Sequence, residues 1–375
     1  MPSLRYNGQV SMTVAQRLNT MAYRQRWRSI NMFERALLGP LAPLVPTPND
    51  VVFMWDQSVL YEYDMPRSPR KYKTPIMIVP PLMVKPTIFD LRPGHSMVGH
   101  LCQQGHHVFM IDYGVPTDQD RHIRVDDYIT DFIPSAVEKI KERTGAKDVS
   151  LVGWSMGGIM SYAYTAMQYK SAPVRNLITI GSPYDFSRMF PFNYLARGMK
   201  LPTTRALFDM IGNIPPALTR TGFKLLDPAK TLRRNLDLVL NYWDRNWVAA
   251  HESMSGWADD FIPYPGDAFV QFVSEFVMSD KLRRGELQIG GQTVDMSKFA
   301  ANLMVVVGTT DKVAPPDSVE AAYELLPSPD KRVLRVALGH IGLVSGSKAP
   351  ALVWQPVSDW LAERSEPLTP RGRSR

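Results

Sequence analysis

The chain of 375 residues is 45% hydrophobic and 21% charged, enough apolar content to bury a large core and too much for a disordered chain. Its net charge of +7 is a mild bias. Four of the positive charges (Arg364, Arg371, Arg373 and Arg375) are expected in a solvated tail, and the rest are too scattered for a nucleic-acid surface. The single cysteine, Cys102, excludes an internal disulfide and a Cys-ligated metal cluster. There is no signal-peptide core and no run of about eighteen apolar residues, so a cytoplasmic protein is expected.

Residues 1–50 read as a basic helical extension. Between Ala15 and Leu38, Arg17, Arg24, Arg26, Arg28 and Arg35 mix with Met21, Trp27, Ile30, Met32, Phe33 and Leu37, and Pro40, Pro43, Pro46 and Pro48 end the helix. Such a helix either packs on its own domain or lies on a lipid or granule surface. Residues 51–183 read as the first part of the core, in which strands and helices alternate from Lys73 onward. Ile76–Val79, Val108–Ile111, Val149–Val152 and Leu177–Ile180 are short apolar runs, and Met304–Val307 and Val333–Leu338 follow near the end. Strands of this kind, separated by helical segments, belong to a parallel sheet covered on both faces. Val125–Arg143 has helical spacing, Pro134 predicts a kink or late start, and Gly145 supplies the stop. Residues 184–299, rich in aromatics such as Phe190, Phe192, Trp247 and Trp257, read as a mostly helical inserted cap. Residues 300–365 complete the core, and 366–375 are an expected disordered tail.

Gly153-Trp154-Ser155-Met156-Gly157 has the spacing G-x-S-x-G, entered from a strand and followed by a plausible helix. Strand, sharp turn and helix form a nucleophile elbow, which needs small residues around the serine. The Met156 amide at the helix start is one oxyanion donor. The second is expected after Ile76–Val79. Pro80 and Pro81 have no N–H, so Leu82 is the first residue able to donate, with Met83 behind it. A serine needs a base and an orienting acid, in the order Ser, acid, His for this fold. Only His251 and His340 follow Ser155, and His340, after the last strand, is the stronger candidate. Asp311, at the end of Met304–Val307, is the expected acid, with Asp185 as runner-up more at home anchoring the cap's entry. His95 and His100 lack zinc spacing, and His106-His107 suits a turn. No metal or cofactor is expected.

Several blocks resemble polyhydroxyalkanoate synthases, the shorter two-component class above all. They are Val79-Pro80-Pro81-Leu82-Met83, Asp90-Leu91-Arg92-Pro93, Gly181-Ser182-Pro183-Tyr184-Asp185-Phe186, Asp311-Lys312-Val313-Ala314-Pro315-Pro316 and Gly339-His340-Ile341-Gly342. The resemblance implies an α/β-hydrolase fold and transfer of hydroxyacyl groups from coenzyme A thioesters to a polyester, with a partner subunit in the two-component class. It implies a Cys–Asp–His triad at the positions of Ser155, Asp311 and His340. This chain departs at the nucleophile, where serine stands for cysteine, and at Lys312, where the family has histidine. Serine implies an oxyester intermediate open to water as well as to alcohols. The residues therefore predict a serine hydrolase on hydrophobic acyl esters or thioesters, of the esterase, lipase or depolymerase type. Acyl transfer or polymerisation from hydroxyacyl-coenzyme A is the alternative, and a non-catalytic granule-binding scaffold is a third. A homo-oligomer or partner subunit is left open.

Overall fold

A computed structural model describes residues 14–42, 45–65, 68–189, 194, 212–226 and 236–368. Phe190, Phe192, Pro43 and the tail arginines Arg371, Arg373 and Arg375 lie outside the described residues. The chain forms two compact units, one of residues 1–43 and 228–256, the other of 44–227 and 257–375. The expected 184–299 insertion therefore contributes to both.

The larger unit is built on an eight-stranded sheet. Its strands are β1 (Asn49–Trp55), β2 (Ser58–Tyr63), β3 (Ile76–Val79), β4 (Val108–Asp112), β5 (Val149–Trp154), β6 (Val174–Ile180), β7 (Asn302–Gly308) and β8 (Lys331–Val336). The spatial order is β1-β2-β4-β3-β5-β6-β7-β8. Pairing is parallel from β4 to β8, and β2 joins antiparallel to β1 and β4. The principal helices are α1 (Val14–Leu38), α2 (Met97–Gln104), α3 (Ile133–Thr144), α4 (Met156–Met167), α5 (Arg245–Asp259), α6 (Pro316–Leu325), α7 (His340–Ser345) and α8 (Gln355–Glu363). β3 and β5 are buried along their whole lengths, as their unbroken apolar runs require of strands covered on both faces. The six expected strands are present; the β1–β2 hairpin is an addition.

Pro134 does not break its helix. A π turn over Tyr128–Phe132 precedes it, and Pro134 takes the second position of α3. The widened turn relieves the clash between the proline ring and the carbonyl four residues back. Gly145, at φ 70°, ends the helix with its N–H on the Lys141 carbonyl.

Two expectations for the C-terminal end change. Arg364 is not in a solvated tail: it bonds Asp330 at 2.7 Å and lies over the Trp360 ring at 4.2 Å. Residues 366–368 are also held, since Lys73 N donates to Glu366 O at 2.9 Å and Leu368 N to Lys71 O at 2.7 Å. A backbone pairing with residues 71–73 was not visible in composition.

In the smaller unit α1 runs to Leu38 and stops at Gly39, φ 85°, just before Pro40. Asn31, fully buried, donates to the Tyr242 carbonyl, and Arg35 pairs with Glu252 at 2.7 Å. Among the described residues no helix is long and apolar enough to cross a membrane.

Candidate active site

β5 delivers the chain into a tight turn at Ser155, which has φ 53° and ψ −122°. A serine with positive φ is strained, and such strain persists only where the surroundings enforce it. Ser155 N–H donates to the Ile180 carbonyl at 2.9 Å, and Gly158 N–H returns to the Ser155 carbonyl at 3.1 Å. The glycines are required by contact. A Cβ on Gly153 would lie 2.5 Å from Gly158 Cα, one on Gly157 2.0 Å from the Val79 oxygen, and one on Gly158 2.1 Å from Ser182 Oγ. The elbow is thereby pressed against the end of β3. As the first residue of α4, Met156 has no carbonyl within the helix for its N–H.

His340 opens α7, and its Nδ1 meets Asp311 Oδ2 at 2.7 Å. The other carboxylate oxygen of Asp311 accepts from the amides of Val313 at 2.8 Å and Ala314 at 2.9 Å. Both side chains are buried. A carboxylate so held fixes the imidazole orientation, with Nδ1 committed to Asp311. Gly181, at φ 54°, packs beside them: a Cβ there would come 3.3 Å from both Asp311 Oδ2 and His340 Nδ1.

The remaining sequence candidates sort by their contacts. Asp185 is buried but turned to Arg188 and Arg283 and to the Ser187 amide, where it caps the turn entering the inserted region. His251 stacks on Trp247 in the smaller unit. Leu82 is buried directly after the two prolines, and Met83 beside it is half-buried. His106 bonds Ser358 Oγ at 2.9 Å, and His107 bonds Glu62 at 2.6 Å. Both anchor the start of β4 and are structural.

Sequence reasoning missed the aromatic wall. The Trp154 ring lies 5.2 Å from the His340 ring, meets Phe89 edge-on at 6.1 Å and faces Trp257 at 6.3 Å. Its indole N–H is buried with no partner among the described residues. The only available signal was its place beside the serine in the G-x-S-x-G run. Tyr264 was missed as well; its hydroxyl lies 3.0 Å from the Met156 sulfur.

Strand order, elbow and the His340–Asp311 arrangement together define an α/β-hydrolase, and the α/β hydrolase fold family model matches residues 89–347. The model for the N-terminus of poly-beta-hydroxybutyrate polymerase (PhaC) matches residues 39–101. The poly(3-hydroxyalkanoate) polymerase subunit PhaC of Allochromatium vinosum is 32% identical over 320 residues, 85% of this chain and 89% of that protein. The subunit of the same name from Haloferax mediterranei is 33% identical over 321 residues, 85% of this chain but 65% of the longer relative. The chain belongs to the poly(3-hydroxyalkanoate) polymerase family. Among solved structures, a soluble variant of monoglyceride lipase from Saccharomyces cerevisiae shares the fold, with a TM-score of 0.57 and 13% identity across 87% of this chain and 98% of that one.

Proposed function

We propose that this chain is an acyltransferase that moves hydroxyacyl groups from a thioester onto a growing polyester, through an ester on Ser155. The observation that carries the reading is the His340–Asp311 pair at 2.7 Å together with the strained elbow at Ser155, in a member of a polymerase family. Ser155 Oγ attacks the thioester carbonyl while His340 Nε2 takes its proton, and Asp311 holds the imidazolium. The oxyanion rests on the Met156 and Leu82 amides. The tetrahedral intermediate collapses, the C–S bond breaks, and the thiol leaves with the proton from His340. A chain-end hydroxyl then attacks the acyl-serine, passing its proton through His340 back to Ser155 Oγ. The first half exchanges a thioester for a more stable oxyester. The second exchanges one oxyester for another, so transfer through serine meets no thermodynamic obstacle.

Hydrolysis is the second reading, favoured by the serine itself. An acyl-serine is attacked by water as readily as by an alcohol unless the site keeps water out. Product analysis with 3-hydroxybutyryl-coenzyme A separates the two, with Ser155→Ala as control. Oligomers of the hydroxy acid support transfer, and free hydroxy acid alone would replace it with hydrolysis. Ser155→Ala and His340→Ala should abolish coenzyme A release, and Asp311→Asn should lower it by about 10⁴-fold. If Asp185→Asn does that damage instead, the acid is misassigned.

Association with an anionic lipid or granule surface through α1 belongs to the same reading. It is supported by apolar residues held in solvent, with Met21, Met32 and Phe33 all more than half exposed beside Arg24, Arg26 and Arg35.

A further inference from the structure

The loop after β3 has an unusual problem of support. It starts with Pro80 and Pro81, which have no N–H to tie it to the sheet. From one side it is pressed by the elbow, where Gly157 leaves no room beyond the oxygens of Val79 and Pro80. From the other it is held by one short stretch of the inserted region, residues 257–264. Trp257 Nε1–H donates to the Lys85 carbonyl at 2.9 Å, and Ile262 N–H donates to the Met83 carbonyl at 3.3 Å. Lys85 Nζ pairs with Asp260 at 2.6 Å.

The same stretch also reaches the elbow. Tyr264, fully buried, donates its hydroxyl to Met156 Sδ at 3.0 Å. Burial holds its phenol well above the ordinary value, so it stays a neutral donor at any working pH. Tyr264 is itself fixed by paired backbone bonds with Ile214, at 2.8 and 3.1 Å. One eight-residue segment thus touches the side chain of Met156 and the carbonyls of Met83 and Lys85, one and three residues beyond Leu82 in the same loop.

We infer that residues 257–264 are a positioning clamp for the oxyanion hole, setting the Met156 and Leu82 amides at the spacing the tetrahedral intermediate needs. This rests on the reading of those two amides as oxyanion donors. The segment comes from the region between β6 and β7 and not from the sheet, so on this inference that region contributes to the chemical step. An oxyanion hole acts only if its donors stand at hydrogen-bond distance from where the charge develops, so a displaced loop weakens the transition state more than the ground state.

Trp257→Phe keeps the ring and removes the N–H, and Tyr264→Phe keeps the packing and removes the hydroxyl. Each is measured in the full chain for labelling of Ser155 by a fluorophosphonate, for kcat and KM on a model acyl thioester, and for affinity toward an alkylboronate that forms a tetrahedral adduct. Each variant should slow labelling and lower kcat about 10-fold or more, with boronate affinity falling by the same factor and KM within twofold. The pH midpoint of the rate should stay where it is, because Asp311 and His340 are untouched. Folded variants with wild-type labelling and boronate affinity, or with a change in KM alone, overturn the clamp. If either substitution prevents folding, Asp260→Asn on the exposed ion pair decides: a drop in kcat with KM unchanged supports the clamp, and wild-type kcat overturns it. Wild-type protein that fails to label at Ser155 would instead remove the underlying assignment of the site.

Discussion

At the scale of single residues, missing atoms and missing protons do much of the organising. Gly157 and Gly181 matter for the space they leave, one admitting the Val79 carbonyl to the elbow and the other the Asp311–His340 pair to its seat. Trp154 occupies a variable position of the motif, yet it forms the wall behind His340. His106 shows how burial becomes pH dependence. Its imidazole is stacked on Tyr72 and bonded to a neutral hydroxyl, and burial pushes it down to about 4. An unfolded chain holds the same group near about 6.5, so below that pH the unfolded state binds the proton first. The stability this residue contributes is therefore complete above pH about 6.5 and is lost as the pH falls towards 4, by up to about 3 kcal/mol. His106→Gln retains a donor for Ser358 and cannot titrate. Urea midpoints at pH 7 and 4.5 should fall less in the variant than in wild type; equal losses would show that His106 is not responsible.

At the scale of elements, register is set by a polar ladder as well as by apolar burial. Ser150, Asn176 and Asn302 stand side by side on β5, β6 and β7, with Asn176 bonding Ser150 and Asn302 at 2.9 Å each. Asn176→Val leaves the buried Ser150 and the half-buried Asn302 without their partner and should cost about 1–3 kcal/mol. Combining it with Ser150→Ala and Asn302→Leu should recover part of that loss, and a triple variant weaker than the single would contradict the ladder. The central strands were legible because they are unbroken apolar runs, and Ser155, Asp311 and His340 because each ends or follows such a run. The β1–β2 hairpin was not, since its exposed face breaks the apolar pattern and its turn rests on Asp56 at φ 52°, where no glycine marks it. The contacts of Trp257, Ile262 and Tyr264 were also hidden. They join residues about 100 to 180 apart in the chain, a separation no periodicity encodes.

At the scale of the whole molecule, the two units differ in what they leave to solvent. The sheet unit buries most of its large apolar side chains and leaves a scattered few such as Met54 and Leu325 exposed, whereas α1 has Glu34 as its only acidic residue and leaves Leu18, Met21, Met32 and Phe33 more than half exposed on one helix. Apolar residues flanked by arginines suit an anionic interface. Full-length protein should sediment with phosphatidylglycerol vesicles and much less with phosphatidylcholine, and a Leu18→Glu, Met32→Glu, Phe33→Glu variant should stay in the supernatant. Equal sedimentation of the variant would sink the idea, and a size that changes on dilution would point to a second copy on that face. The lone thiol has a different use. Cys102 lies sealed in α2 at 3% exposure, and burial pushes it up to about 12, so a maleimide cannot reach it while the sheet unit is closed. Each molecule then carries a built-in clock, in which the rate of alkylation counts how often the core opens and a single added mass records the event.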